Sequence, residues 1–247
     1  MTTTSKIPAR LRRARLIDAR GYPVPWFVAW IDGKPDHRVM DAAKMPRAVR
    51  LGLCWQCGQP LGRYKAFCIG PMCTITRTIA EPPSHLECLR YAVRACPWMT
   101  RPHAKRRAAG LPEDARPGAG LPITRNPGIA CVWTTLSFRT FPAYDGNTGR
   151  LFKIGAPVAV EWWCEGRAAT REEVEASIRS GLPLLEEQAQ AQDAEEGGAA
   201  ARTDLAARLR CLDELLPPAR AAAASTGATQ GGECRELANA APTGDRT

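Results

Sequence analysis

Leu53-Cys54-Trp55-Gln56-Cys57-Gly58 and His85-Leu86-Glu87-Cys88 are the two stretches on which the reading of this chain turns. In the first, two thiols three positions apart can clamp one ion, and the glycine after the second lets the backbone turn beneath the sulfurs. The second repeats the two-residue gap with an imidazole and a thiol. It follows Pro82-Pro83-Ser84 and opens a segment in which Leu86, Leu89, Tyr91 and Val93 recur at helical spacing. His85 and Cys88 then share one face of the first helical turn. Cys54, Cys57, His85 and Cys88 are the expected ligands of one structural Zn²⁺, in a closed sphere that suits architecture better than catalysis. Binding worth about 10 kcal/mol or more would hold a segment too short to build its own core.

Between Cys57 and His85 lie 27 residues, in which 64–69 and 74–79 read as the strands of a small hairpin. Knuckle, hairpin and ligand-bearing helix together describe a treble-clef-like finger. Cys68, Cys73 and Cys96 are close enough in sequence to replace a ligand, Cys73 in place of His85 if the hairpin registers differently. Cys131, Cys164, Cys211 and Cys234 stand apart. The rival readings are cysteines that merely pack and a thiol redox pair. Gly58 and Pro60 fit poorly with the helix that begins at the first cysteine of a redox pair and lowers its pKa.

Working outward, residues 24–31 and 37–40 flank the turn signal Asp32-Gly33-Lys34 and predict a hairpin. Asp41 is placed to cap a short helix that ends at Gly52. From 101 to 128 the density of proline and glycine excludes a helix or a central strand and predicts a basic linker. Residues 129–141 and 151–163 predict a second hairpin through Asp145-Gly146-Asn147, with Val158, Val160, Trp162 and Cys164 on one face. Thr170 and Glu173 form a capping box, and Gly181 with Pro183 predicts a stop and restart. Thr203 is expected to cap a last helix carrying Leu205, Leu209, Leu212 and Leu216, a stripe expected to pack on its own neighbours. Pro217-Pro218 ends it. The predicted organisation is α+β: hairpin plus finger over 1–100, linker over 101–128, hairpin and acidic helices over 129–218, and a disordered tail over 219–247.

The 247-residue chain is 45% hydrophobic and 24% charged, with ten cysteines. No leader-like segment and no apolar run near 18 residues is visible, so a soluble protein of the reducing cytoplasm, with no membrane partner, is expected. Residues 1–120 carry 21 Lys/Arg against 8 Asp/Glu, whereas 171–247 carry 8 against 14. Positive charge and the cysteine cluster coincide.

The run 53–62, then Ile69-Gly70-Pro71-Met72-Cys73, then Glu81 to His85 with Cys88, then Ala95-Cys96-Pro97-Trp98 resembles a group of uncharacterised proteins of bacteria and their phages. The resemblance extends from Gly21-Tyr22-Pro23-Val24-Pro25 to about Leu216. It implies a bacterial or prophage origin and a soluble protein, supports the finger, and carries no activity over.

Three functions compete. Arg10, Arg12, Arg13 and Arg15 on one side of the finger, and Arg101, Lys105, Arg106 and Arg107 on the other, predict a nucleic-acid contact through counterion release. A plain solvated basic surface is the bland alternative. The acidic C-terminal helices fit a protein-docking accessory role instead. An enzyme has least behind it. A ββα-metal nuclease needs a catalytic histidine that the stretch between Cys57 and His85 lacks, no phosphate-binding glycine loop is present, and His37 with Cys131 or Cys164 has no motif. His37 and His103 read as surface residues.

Overall fold

The computed structural model of the protein describes residues 7–13, 17–102, 104–105, 109–111, 119, 126–143 and 149–219. It opens with α1 (Ala9–Arg13), followed by β1 (Val28–Ile31) and β2 (Lys34–Met40). Asp32 and Gly33 both have positive φ, 49° and 74°, the geometry of a two-residue turn whose twist matches its strands. The first predicted hairpin therefore forms. α2 (Lys44–Leu51) begins just after the Asp41 carboxylate accepts the Ala43 N–H, and it ends at Gly52 in the left-handed region.

The next stretch departs from expectation. β3 (Lys65–Ile69) is a strand, but Pro71–Thr76 form a helix, α3, and only Thr78–Ile79 extend as β4. Extended Gly70 followed by Pro71 at the first helical position starts α3, because proline's fixed φ suits that position. Met72 and Ile75 are thereby buried in the main core. Burial worth about 1.5–3 kcal/mol per side chain outweighs the β preference of Thr74, Ile75 and Thr76, whose weak helix propensity costs about half a kcal/mol each. The hairpin expected between the two ligand pairs does not form, since β3 and β4 belong to different sheets.

α4 (Leu86–Ala95) and α5 (Pro97–Thr100) come next, then β5 (Ile129–Thr135), β6 (Phe138–Pro142), β7 (Arg150–Ile154), β8 (Pro157–Cys164) and β9 (Arg167–Ala168). β5 pairs with β8 and β6 with β7. The second predicted hairpin thus exists as a ladder bent at Leu136-Ser137 and Gly155-Ala156. A Cβ on Gly155 would sit 2.6 Å from the Ser137 carbonyl oxygen, which is why the bend takes a glycine. The described residues form three sheets: β1-β2, β3-β5-β8-β9 and β4-β7-β6. β3 joins β5 and β4 joins β7, so both larger sheets draw strands from either side of the 101–128 segment.

β5 is buried along nearly all its length because both faces of its sheet are covered. Cys131 and Trp133 face a core that includes Met72 and Ile75 of α3. Val132 and Ala130 face Leu89 and Val93 of α4. Val160, Trp162 and Cys164 join the first core as their alternation predicts, whereas Val158 is exposed.

α6 (Arg171–Glu196) starts at the predicted Thr170/Glu173 capping box but runs unbroken through Gly181 and Pro183. An interior proline costs about 3 kcal/mol. Burial of Val174, Ile178 and Leu185, at about 1.5–3 kcal/mol each, offsets it. α7 (Ala200–Arg210) begins before Thr203. Its first turn is capped from outside, by Asp193 of α6, whose buried carboxylate accepts the Ala201 and Arg202 N–H groups and pairs with Arg202 Nε at 2.7 Å. Leu205, Leu209, Leu212 and Leu216 pack on the main core as expected, although the helix gives way to a 3₁₀ turn at Asp213–Leu215. Asp145-Gly146-Asn147, Cys234 and residues 220–247 of the expected tail lie outside the described residues. No helix among the described residues is long and apolar enough to cross a membrane.

Candidate metal centre

The chain reaches the first ligand pair from Gly52, whose left-handed conformation turns it out of α2. Leu53 N–H donates to Ala48 O, Cys54 N–H to Gln59 O at 2.8 Å and Gly58 N–H to Cys54 O at 2.8 Å, and Leu53 bridges Pro60. These bonds close a tight knuckle that aims both sulfurs to one side. Gly58 has φ +71°, and a Cβ there would lie 2.6 Å from Trp26 Cδ1. The glycine therefore answers a conformational and a steric requirement together.

The second pair is brought up by β3. Ala66 and Ser84 exchange both backbone hydrogen bonds, and Trp55 N–H donates to Pro83 O. Pro82-Pro83 keep the approach extended. His85 then takes the N-cap position of α4 with extended φ and ψ, and Cys88 sits in the first turn. Thiolate charge is favoured there by the helix dipole.

The ligand atoms of Cys54, Cys57, His85 and Cys88 all lie within 4.8 Å of one another, and all four residues are buried. Cys57 Sγ is 3.4 Å and Cys88 Sγ 4.0 Å from His85 Nδ1. Tetrahedral bonding with metal–sulfur and metal–nitrogen bonds near 2.3 and 2.0 Å puts sulfur and nitrogen about 3.5 Å apart. His85 Nε2–H donates to the Pro60 carbonyl at 3.0 Å, which leaves the Nδ1 lone pair facing the sulfurs. The His85 backbone N–H donates to Cys54 Sγ at 3.3 Å. The group can hold one metal ion.

The four groups act on one another's protonation. Hydrogen bonds from Cys57 and Cys88 pull the Cys54 thiol strongly down, and hydrogen bonding to Cys54 and Cys57 pushes the Cys88 thiol strongly up. His85 is raised to about 10, first by Cys54 and then by Cys57, against the effect of burial. A bound divalent ion would replace the imidazolium proton and release protons from the thiols.

A lid covers the cluster. Leu11 of α1, 4% exposed, packs with Cys54, Cys57 and Cys88, and Ile7, Leu61 and Tyr91 close around them. Arg10 anchors the lid through Glu87 at 2.7 Å and Gln59 at 3.2 Å. Beneath the knuckle, the Trp55 ring stacks on Phe27 at 5.1 Å. Sequence reasoning missed both the lid and the Pro60 acceptor. An apolar Ile7 and Leu11 among arginines is the one trace the lid leaves in the sequence.

The alternative ligands lie elsewhere. Cys73 packs against the main core on α3, and Cys68 lies 4.0 Å from Met99 Sδ. Neither they nor Cys96, Cys131, Cys164 or Cys211 belong to the cluster. Burial pushes Cys73 up to about 11 and Cys131 to about 12. Cys131 and Cys164 are core residues, and His37 Nε2 lies 3.3 Å from the Asp18 carboxylate.

Of the basic residues singled out by sequence, Arg10 is bound to the lid contact, Arg12, Arg13, Arg101 and Lys105 are exposed, and Arg15, Arg106, Arg107 and His103 lie outside the described residues. The described members of the two clusters do not converge. α1 docks at the N-terminal end of α4, and Arg101 follows α5 at its C-terminal end, so the length of α4, about 15 Å, separates them. The knuckle instead carries a basic surface that sequence spacing hides. Arg47 and Arg50 of α2 are exposed, and the Leu61 N–H to Gly52 O bond sets α2's end beside Arg63, Tyr64 and Lys65. Tyr64 is half exposed with Arg63 stacked 5.8 Å from its ring. In comparisons with known proteins, no family model, no curated protein and no solved structure matches this chain.

Proposed function

We propose that the chain is a zinc-built, non-enzymatic nucleic-acid-binding module of bacterial or phage origin. The metal is Zn²⁺, held by Cys54, Cys57, His85 and Cys88 in a treble-clef-like arrangement where the Ala66–Ser84 bridge stands in for the usual hairpin. Three thiols and one imidazole are a zinc-type donor set, and four protein donors under a lid leave no position for a substrate. The ion's role is to weld the knuckle to α4.

The observation that carries the binding role is the patch beside the knuckle. Arg47, Arg50 and Arg63 make no ion pair or side-chain hydrogen bond among the described residues; Arg63 stacks on the exposed Tyr64, and Arg47 and Arg50 are exposed on α2, whose end is bonded to Leu61. Unpaired guanidinium groups next to an exposed ring suit a phosphodiester backbone with bases available for stacking. Two experiments test this reading. Protein purified without added zinc should carry close to one zinc ion per chain, and Cys57→Ala should lose ion and fold together; a stable, metal-free wild type would sink the zinc assignment. Zinc-loaded protein should bind single-stranded DNA or RNA with an affinity that falls steeply with salt. Neutralising Arg47, Arg50 and Arg63 should flatten the slope by about 0.7 per contacting charge. No binding at physiological salt would overturn the nucleic-acid role and leave docking through the exposed carboxylates of α6 (Glu186, Glu187, Glu195, Glu196) as the reading to pursue.

A further inference from the structure

We propose that Arg77, Lys153 and Arg208 form a binding site for a phosphate-class oxyanion where α3, β7 and α7 meet. The site lies on the face of the four-stranded sheet that carries Trp133, opposite the face packed by α4, and owes nothing to the metal centre.

Arg77 is an arginine where the backbone would favour glycine. It ends α3 with φ +53°, its N–H donates to Cys73 O, and its carbonyl accepts the Ile154 N–H at 2.8 Å. The residue is 6% exposed, its guanidinium lies 5.2 Å over the Trp133 ring, and its Nη1 is buried with no hydrogen-bond partner among the described residues. Arg208 of α7, its side chain 11% exposed, uses Nε to bind Asp204 at 2.6 Å, while its Nη1 is also buried without a partner among the described residues. Lys153 donates one N–H to Thr76 O at 3.0 Å. An ammonium has three such donors.

The local charge is unbalanced. Arg139 on β6 stands directly opposite Lys153 in the ladder, and like charges in that register repel. The groups acting on Lys153 are Arg77 from the end of α3, Arg139 from β6, and Arg208 and Asp204 from α7. Leaving Arg139 aside, Arg77, Lys153 and Arg208 share one carboxylate, Asp204, and it is already bound to Arg208. Burial, then Arg208, lowers Arg77, and burial followed by the same neighbours brings Lys153 down to about 8. Buried cations left unpaired are costly, and two orphaned guanidinium N–H groups beside an ammonium call for an acceptor with several oxygens. A tetrahedral oxyanion supplies three or four, which chloride or a lone carboxylate cannot. Asp204 and Arg139 are exposed at the edge of the cluster, so the ligand enters from that side and takes Asp204's place on Arg208.

The test uses the full zinc-loaded chain and inorganic phosphate, by calorimetry and thermal unfolding, against sodium chloride of equal ionic strength. One saturable site per chain is expected, with Lys153→Met and Arg208→Gln each weakening it by about tenfold or more. Lys153→Met also separates a ligand site from a structural lysine. Without phosphate it should unfold at a higher temperature than wild type, because repulsion is relieved, and with phosphate it should lose that lead. Sulfate, whose charge is constant in this range, should bind more weakly as pH rises through the Lys153 pKa near 8. A nucleoside 5′-monophosphate arm distinguishes the sources: affinity equal to phosphate indicates the free ion, and tighter binding indicates a phosphoryl end group. Equal stabilisation by chloride and phosphate, or undiminished phosphate affinity in Lys153→Met, would overturn the proposal.

Discussion

Gly52 and Gly58 bracket the knuckle, both in the left-handed region, at φ +60° and +71°. They differ in what surrounds them. A methyl group on Gly52 meets nothing within 4 Å, whereas one on Gly58 meets Trp26 Cδ1 at 2.6 Å and Cγ at 2.7 Å. Trp26 cannot simply swing away. Its backbone N–H donates to Gln56 O at 2.8 Å, which fixes the residue's backbone, and its ring packs edge-on to Trp55 at 6.1 Å. Gly52→Ala should therefore cost only the conformational strain, about 1–2 kcal/mol. Gly58→Ala should add an overpacking cost of about 1–3 kcal/mol. At about 2–4 °C per kcal/mol for a chain of this size, its Tm should fall about 2–12 °C further than that of Gly52→Ala. Thermal unfolding by circular dichroism at saturating zinc, with metal content measured on the same samples, reads this difference. Variants equal within about 0.5 kcal/mol would refute the steric argument and the placement of Trp26 under the knuckle.

Two further outcomes follow from neighbouring features. Arg167, and after it the Thr170 N–H, hold the Glu173 carboxyl down to about 2 from 4.5. Because the folded-state value is the lower one, the stabilisation is complete above pH 4.5 and is lost as pH falls toward 2. The pair is partly exposed, with side chains 51% and 30% accessible, so Glu173→Gln should remove only about 0.5–1 kcal/mol at neutral pH. It should also flatten the acid limb of a stability titration; an unchanged limb would contradict the assignment. Leu11→Ala should loosen the lid without touching a ligand. Zinc stoichiometry should stay at one while a chelator extracts the ion about tenfold faster, as an opening made easier by about 1.4 kcal/mol would allow. Unaltered extraction kinetics would show that α1 does not guard the site.

Much of the centre was legible because its chemistry is local. The two-residue gaps at Cys54/Cys57 and His85/Cys88, the glycine after the knuckle and the prolines before α4 state their geometry within a few bonds of the atoms concerned. The same holds for the Asp32-Gly33 turn, the Thr170/Glu173 box and the leucine stripe of α7. Errors arose where local preference met a distant partner. Thr74, Ile75 and Thr76 favour a strand alone but turn helical because Pro71 starts a helix and the core takes Met72 and Ile75. Gly181 and Pro183 predict a break but lie in a helix held together by burial on both sides of them.

From the sequence alone came the four residues of the cluster that can hold a metal ion, the α+β class and the excess of positive charge in the first half, since each depends on spacing or composition. The tertiary structure alone decided that β3 pairs with β5 rather than with its sequence neighbour, that α1 covers the thiols, and that Arg63 and Tyr64 stand beside α2. It also decided that Arg77, Lys153 and Arg208 meet. Those outcomes turn on which surfaces bury each other across tens of residues, and hydrophobic burial has no direction that a local pattern can record.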